Sequence, residues 1–169
     1  MSTLFQPREV FALYVRNFIF GVEDSLVSTV GLLSGIAAAG VPKREIVLSG
    51  TILIFVEAFS MGIGSLLSEH SAEKYMKRTE VPIEKSLIGG IIMFVSYFVA
   101  GFVPLFPYVF FDPGSAFTIS ILLSLGSLFL LGIGGGKVLG IKVLRNALEM
   151  FLLGGAAVAV GILVGQMIK

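Results

Sequence analysis

Three carboxylates and one thioether stand in sequence that is otherwise apolar. Glu23 and Asp24 interrupt the run from Phe18 to Ala39. Glu57 is flanked by Ile52-Leu53-Ile54-Phe55-Val56 and by Ala58-Phe59, and Met61 follows it one helical turn later. An ionisable group inside a membrane span costs about 3 kcal/mol on insertion scales, so such groups normally face a bundle interior or a wet path. Asp24, Ser28, Gly31 and Gly35 recur at i, i+4, i+7 and i+11, a small and polar stripe along one helix face; Glu57, Met61, Gly64 and Ser68 repeat the pattern. At about 1.5 Å per residue, Asp24 lies about 27 Å from Pro42, Met61 about 24 Å from Glu45 and Glu57 about 18 Å from it. Asp24 and Met61 thus fall at similar depth, with Glu57 one turn further out. A carboxylate beside a thioether suits a borderline transition metal such as Fe²⁺ better than Mg²⁺ or Ca²⁺, which want oxygen alone.

Each of these residues has a plainer reading. The carboxylates could form structural ion pairs, with Arg16 or Arg145 as partner for Glu23 or Asp24, and Met is a common packing filler. A second acidic group, Glu69, His70 and Glu73, follows the second apolar run. Glu69 and Glu73 are at i and i+4, so with His70 they are candidates for collecting metal at a cytoplasmic mouth. The alternative there is a solvated helix end with a Glu73–Lys77 ion pair. Lys74, Lys77, Arg78 and Lys85 could equally meet anionic headgroups.

The elements that must position these groups follow from composition. The 169 residues are 56% hydrophobic and 14% charged, with a mean hydropathy of +0.98. A chain this short has too much surface to hide that much apolar side chain in water. A net charge of +1 leaves no basic footprint for nucleic acid. Cys is absent and His70 is the only histidine, which excludes disulfides, thiolate chemistry and multi-histidine metal sites within one chain. No catalytic constellation surrounds His70, so an enzyme is not expected.

Spans of about 20 apolar residues are expected at approximately 18–39, 46–67, 87–106, 116–135 and 147–168, making one five-helix transmembrane domain over 1–169. Gly40-Val41-Pro42 closes the first. Pro104, Pro107 and Asp112-Pro113-Gly114 separate the third from the fourth, and Gly134-Gly135-Gly136 ends the fourth. The second helix is expected to run past the membrane toward Pro82. No cleavable signal peptide is expected. Nine Lys and Arg residues fall on one side and three (Lys43, Arg44 and Lys169) on the other. The expected fold is therefore an all-α polytopic membrane protein with its N-terminus cytoplasmic and its C-terminus outside. Gly31-xxx-Gly35 and Ala157-xxx-Gly161-xxx-Gly165 are close-packing patterns for helices in lipid.

These residues also carry a resemblance. The segment from Arg16 through Gly21, Asp24, Ser28 and Thr29 to Gly35 resembles the first-helix signature of the vacuolar iron transporter family. Ser60-Met61-Gly62-Ile63-Gly64 is similar to that family's Ser-Met-x-x-Gly, and Pro104-Leu105-Phe106-Pro107 to its Pro-Leu-x-Pro. Leu144–Met150, followed by Gly154 and Gly165, resembles the opening of its fifth helix. The resemblance implies a five-helix homodimer moving Fe²⁺ or Mn²⁺ out of the cytoplasm against protons, with Asp24 and Met61 on the ion path and no permanently bound cofactor. Glu57 and Glu23 would then serve as a further ligand or proton acceptor. The membrane would be a cell or inner membrane in a prokaryote, or a vacuole-type organelle membrane in a eukaryote. Three departures stand out. Ser25 takes the place of a family Gly, and Glu57 that of a commonly small residue. The interval 68–85 is too short for the Glu-rich cytoplasmic metal-binding domain of iron-transporting members. A rival expectation is a non-transporting assembly or sensing protein whose intramembrane carboxylates are structural.

Overall fold

The structure is a computed structural model that describes residues 7–168. Lys169, one of the three basic residues assigned above to the outer side, lies outside the described residues. Five helices follow one another: α1 (Pro7–Ala38), α2 (Lys43–Lys77), α3 (Glu84–Phe110), α4 (Pro113–Leu139) and α5 (Val143–Ile168). All five are long and apolar enough to cross a membrane. Lipid offers backbone groups no hydrogen-bond partner, so a helix that satisfies its own is the favoured solution for each segment.

The bundle has the polarity expected of a bilayer solvent. Phe55, Phe59, Leu122, Leu130 and Leu152 are exposed, whereas Ser25, Thr29, Ser34, Ser120 and Ser124 are buried between helices. α1 is the hub and contacts each of the other four, packing chiefly against α3 and α5; α2 leans on α3, and α4 on α5. The seam between α1 and α2 is sparse by comparison. Small residues set the close crossings. A Cβ added to Gly31 would touch Ala157, and one added to Gly35 would stand 2.7 Å from the Gly161 carbonyl oxygen. The glycine pattern of α1 and α5 is therefore their mutual interface.

Two helix ends differ from the sequence expectation. Pro104 and Pro107 do not close the third helix, which continues through both to Phe110. Each proline removes one internal hydrogen bond, but both are fully buried against neighbouring helices, where helix-breaking residues are tolerated in membranes. The Ser120 hydroxyl of α4 donates to the Pro104 carbonyl at 2.7 Å and ties the two helices at that point. The Gly134-Gly135-Gly136 run likewise does not end α4, which stops three residues later with Gly140 at φ +68°. Gly132 and Gly136 are needed inside the helix, because a Cβ at either would collide with the backbone of α5. At 35 residues, α2 is about 52 Å long, more than the hydrocarbon core requires. It runs on as expected and ends where Arg78 turns left-handed at φ 55°.

Candidate functional site

The rotation of α1 is fixed by two contacts with α3. A Cβ on Gly21 would run into the Ser96 hydroxyl and stand 3.0 Å from the Met93 carbonyl oxygen. One turn later, the Ser25 hydroxyl donates to the Tyr97 carbonyl at 2.6 Å. With Gly21 and Ser25 facing α3, residues 24 and 28 fall on one flank of that contact and residue 23 on the far face of the helix. α2 is seated on α3 in the same manner, since Gly62 faces the Gly90 carbonyl with room for little more than hydrogen.

This seating places the four membrane residues in two neighbouring groups. Asp24 comes within electrostatic reach of Glu57, and Glu23 within reach of Asp24. Met61 instead shares a cavity of about 690 Å³ with Glu23, Arg16, Ser65, Ser68 and Met93. All three carboxylates are half-buried. Glu23, one residue before Asp24 and turned about 100° from it around α1, lines that cavity together with Met61. Among the described residues, no group of three or more His, Cys, Asp or Glu converges as a metal cage.

Neither proposed counter-ion reaches the membrane carboxylates. Arg16 pairs with Glu69 at 3.3 Å and Arg145 with Glu149 at 2.7 Å. Among the described residues, Glu23, Asp24 and Glu57 enter no ion pair. Glu57 is held instead by a neutral donor, the Tyr97 hydroxyl of α3, which in turn meets the Ser28 hydroxyl at 2.6 Å. Tyr97 and Met93 were not singled out from sequence. The available signal was Ser96-Tyr97, two polar groups in the apolar stretch of α3.

The acidic group at the end of α2 is divided between two neighbours. Glu69 turns toward α1, accepting from the Asn17 amide at 2.6 Å and the Ser65 hydroxyl at 3.0 Å. Glu73 turns toward Lys77 at 2.7 Å and Lys85 at 3.3 Å. The i, i+4 ion pair with Lys77 is therefore present, and the two carboxylates do not point one way. His70 keeps a buried Nδ1 without a hydrogen-bond partner among the described residues. Beyond the helix, a hydrogen bond from Lys74 holds the Glu80 carboxyl below its ordinary value.

The order and spacing of these groups can be set beside known proteins. The model of the VIT family matches residues 15–87 and 80–166. The chain belongs to the VIT family. The match takes in residues of all five helices, including Gly21, Gly31 and Gly35 of α1 and the segment carrying Glu57 and Met61. This VIT-family chain is an integral, multi-pass membrane protein. It is similar to "Vacuolar iron transporter 1" of Arabidopsis thaliana, with 29% identity over 101 residues. That similarity covers 56% of this chain and 40% of the plant protein, so the chain spans less than half the length of the relative it matches.

In this VIT-family member the Asn17–Ser65–Glu69 network joins α1 and α2 beside the cavity. The Glu69 side chain is only 8% exposed, while Arg16 is 66% exposed, so the neutral amide of Asn17 is its principal buried partner. Asn17→Leu is expected to lower stability by about 2 kcal/mol, because a buried charged acceptor loses its best donor. The double variant Asn17→Leu/Glu69→Leu is expected to recover part of that loss, since an apolar pair leaves no uncompensated charge. Thermal unfolding of the purified protein in detergent measures both; additive losses would show that the two side chains are not coupled.

Proposed function

We propose that the chain carries a divalent transition-metal ion, Fe²⁺ or Mn²⁺, out of the cytoplasm in exchange for protons. The observation that carries the reading is that Asp24 and Glu57 are half-buried carboxylates within membrane-spanning helices that, among the described residues, enter no ion pair. Two like charges so placed in a low-dielectric setting lack a counter-charge, and a divalent cation supplies one. Glu23 and Met61 line the adjoining cavity and offer the mixed oxygen and sulfur donors that a borderline metal accepts. Metal binds the deprotonated carboxylate, so each arriving ion releases protons, a direct physical route to exchange. The plant relative, a vacuolar iron transporter by name, supports iron as substrate. In this reading the side holding Lys74, Lys77, Arg78 and Lys85 is cytoplasmic, and two copies of the chain assemble as a homodimer.

Reconstitution into proteoliposomes tests the coupling. Vesicles with an acidic lumen are expected to accumulate Fe²⁺, kept reduced under anaerobic conditions, faster than vesicles without a pH gradient. The lumen is expected to lose protons as metal enters, read with a trapped pH dye. Uptake indifferent to the gradient and to a protonophore would remove proton exchange from the proposal.

A further inference from the structure

Three helices meet at one phenol. Tyr97 of α3 is fully buried, its hydroxyl donates to Oε2 of Glu57 on α2, and it contacts the Ser28 hydroxyl of α1 at 2.6 Å. Each hydroxyl has a single proton. The Tyr97 proton is committed to the carboxylate, so the Ser28 proton points to the phenol oxygen, 2.6 Å away, rather than to the Ser25 carbonyl at 3.5 Å. The chain Ser28 → Tyr97 → Glu57 therefore has one direction and ends on one carboxylate oxygen. The phenol cannot swing aside, because the ring is enclosed and the Tyr97 carbonyl is itself held by Ser25 at 2.6 Å.

We propose that Tyr97 determines ion specificity by occupying Oε2 of Glu57 and leaving Oε1 alone to meet a cation. This rests on the reading that Glu57 meets the transported ion. A carboxylate clamped on one oxygen binds end-on. Ca²⁺ gathers six to eight oxygens and often takes a carboxylate through both. A borderline transition metal accepts fewer and mixed donors, and Met61 lies one turn along the same helix. The clamp thus withholds an oxygen from the ion that needs it most. Tyr97 is a positioning residue, acting through Glu57 without touching the ion.

The test is Fe²⁺ uptake by anaerobic proteoliposomes with Ca²⁺ as competitor, comparing wild type with Tyr97→Phe, Glu57→Asp and Glu57→Gln. Tyr97→Phe keeps the ring and frees both carboxylate oxygens. Ca²⁺ is then expected to inhibit at an about tenfold lower concentration, the scale on which partners of metal ligands act. Glu57→Asp, whose carboxylate is one methylene shorter and draws back from the phenol, is expected to shift Ca²⁺ inhibition in the same direction. A purely structural role would lower the maximal rate and leave the ratio of Ca²⁺ inhibition to Fe²⁺ half-saturation unchanged; that result in Tyr97→Phe overturns the assignment. Glu57→Gln separates the two ideas. If it transports Fe²⁺ with wild-type constants, Glu57 does not meet the ion and the reading beneath the inference fails. If it is impaired while Tyr97→Phe keeps the wild-type ratio, only the role of Tyr97 is overturned.

Discussion

Asp24→Asn is expected to lower the initial rate of Fe²⁺ uptake into proteoliposomes by about 100-fold or more. Outer partners of a metal ligand are typically worth about 10–100-fold in affinity or activity, and a group that meets the ion directly belongs at or above the top of that range. The substitution keeps size and hydrogen-bonding shape, so its effect reads charge. Asp24 is half-buried in α1 within electrostatic reach of Glu57, and among the described residues it has no basic partner. Removing its charge relieves repulsion in the metal-free protein. The Asn variant is therefore expected to unfold at the same temperature as wild type or higher, while transport falls. A structural carboxylate predicts the opposite pair of results, lost stability with uptake retained. Equal amounts of folded, reconstituted protein make the comparison; uptake at the wild-type rate would remove Asp24 from the ion path.

Gly161→Val is expected to cost about 3 kcal/mol or more, at or beyond the upper end of the overpacking range. A Cβ at Gly161 would collide with the Gly31 carbonyl, and one at Gly165 with the Gly35 carbonyl. The obstacle is main chain, which cannot adopt another rotamer, so α5 must lift away from α1. Small residues at such crossings are what allow backbones to approach in lipid, where apolar surface gains nothing by leaving the tails. Gly155→Ala on the same helix is the control, since nothing stands within 4 Å of its added Cβ, and replacing Gly by Ala at a compatible helical site stabilises by about 0.4–1 kcal/mol. Thermal unfolding in detergent should separate the two by many degrees. A Gly161→Val protein as stable as Gly155→Ala would mean that the α1–α5 crossing is not close-packed in the bilayer.

Much of this architecture is written in local sequence. Five apolar runs, the continuation of α2 beyond the membrane and the glycine spacing of α1 and α5 follow from hydropathy and the 3.6-residue period, which neighbouring residues settle among themselves. The helix ends at Pro104 and Pro107 and at Gly134–Gly136 did not follow, because those residues are breakers in water and become seats for a neighbour when buried among helices. The Glu73–Lys77 pair follows from i, i+4 spacing, but ion-pair partners on different helices were beyond local reasoning for another reason. Arg16 finds Glu69, 53 residues away, and only the packing of α1 on α2 brings that carboxylate within range.

The carboxylates and Met61 divide the same way. That charge at Glu23, Asp24 and Glu57 must face something other than lipid was dictated by residue type, and the absence of Cys with a single His confined any metal chemistry to oxygen donors and thioethers. Which of them meet was decided by the rotation of α1, fixed where Gly21 and Ser25 touch α3. Successive residues of α1 stand about 100° apart, so Asp24 and Glu23 have different surroundings, Asp24 within electrostatic reach of Glu57 and Glu23 on the cavity that Met61 also lines. Tyr97 owes its place to that same docking, since nothing in the sequence of α3 states which carboxylate its hydroxyl will hold. Hydropathy is a property of each segment and could be read one segment at a time; the pairing of side chains depends on the relative rotation of helices, which exists only once they pack.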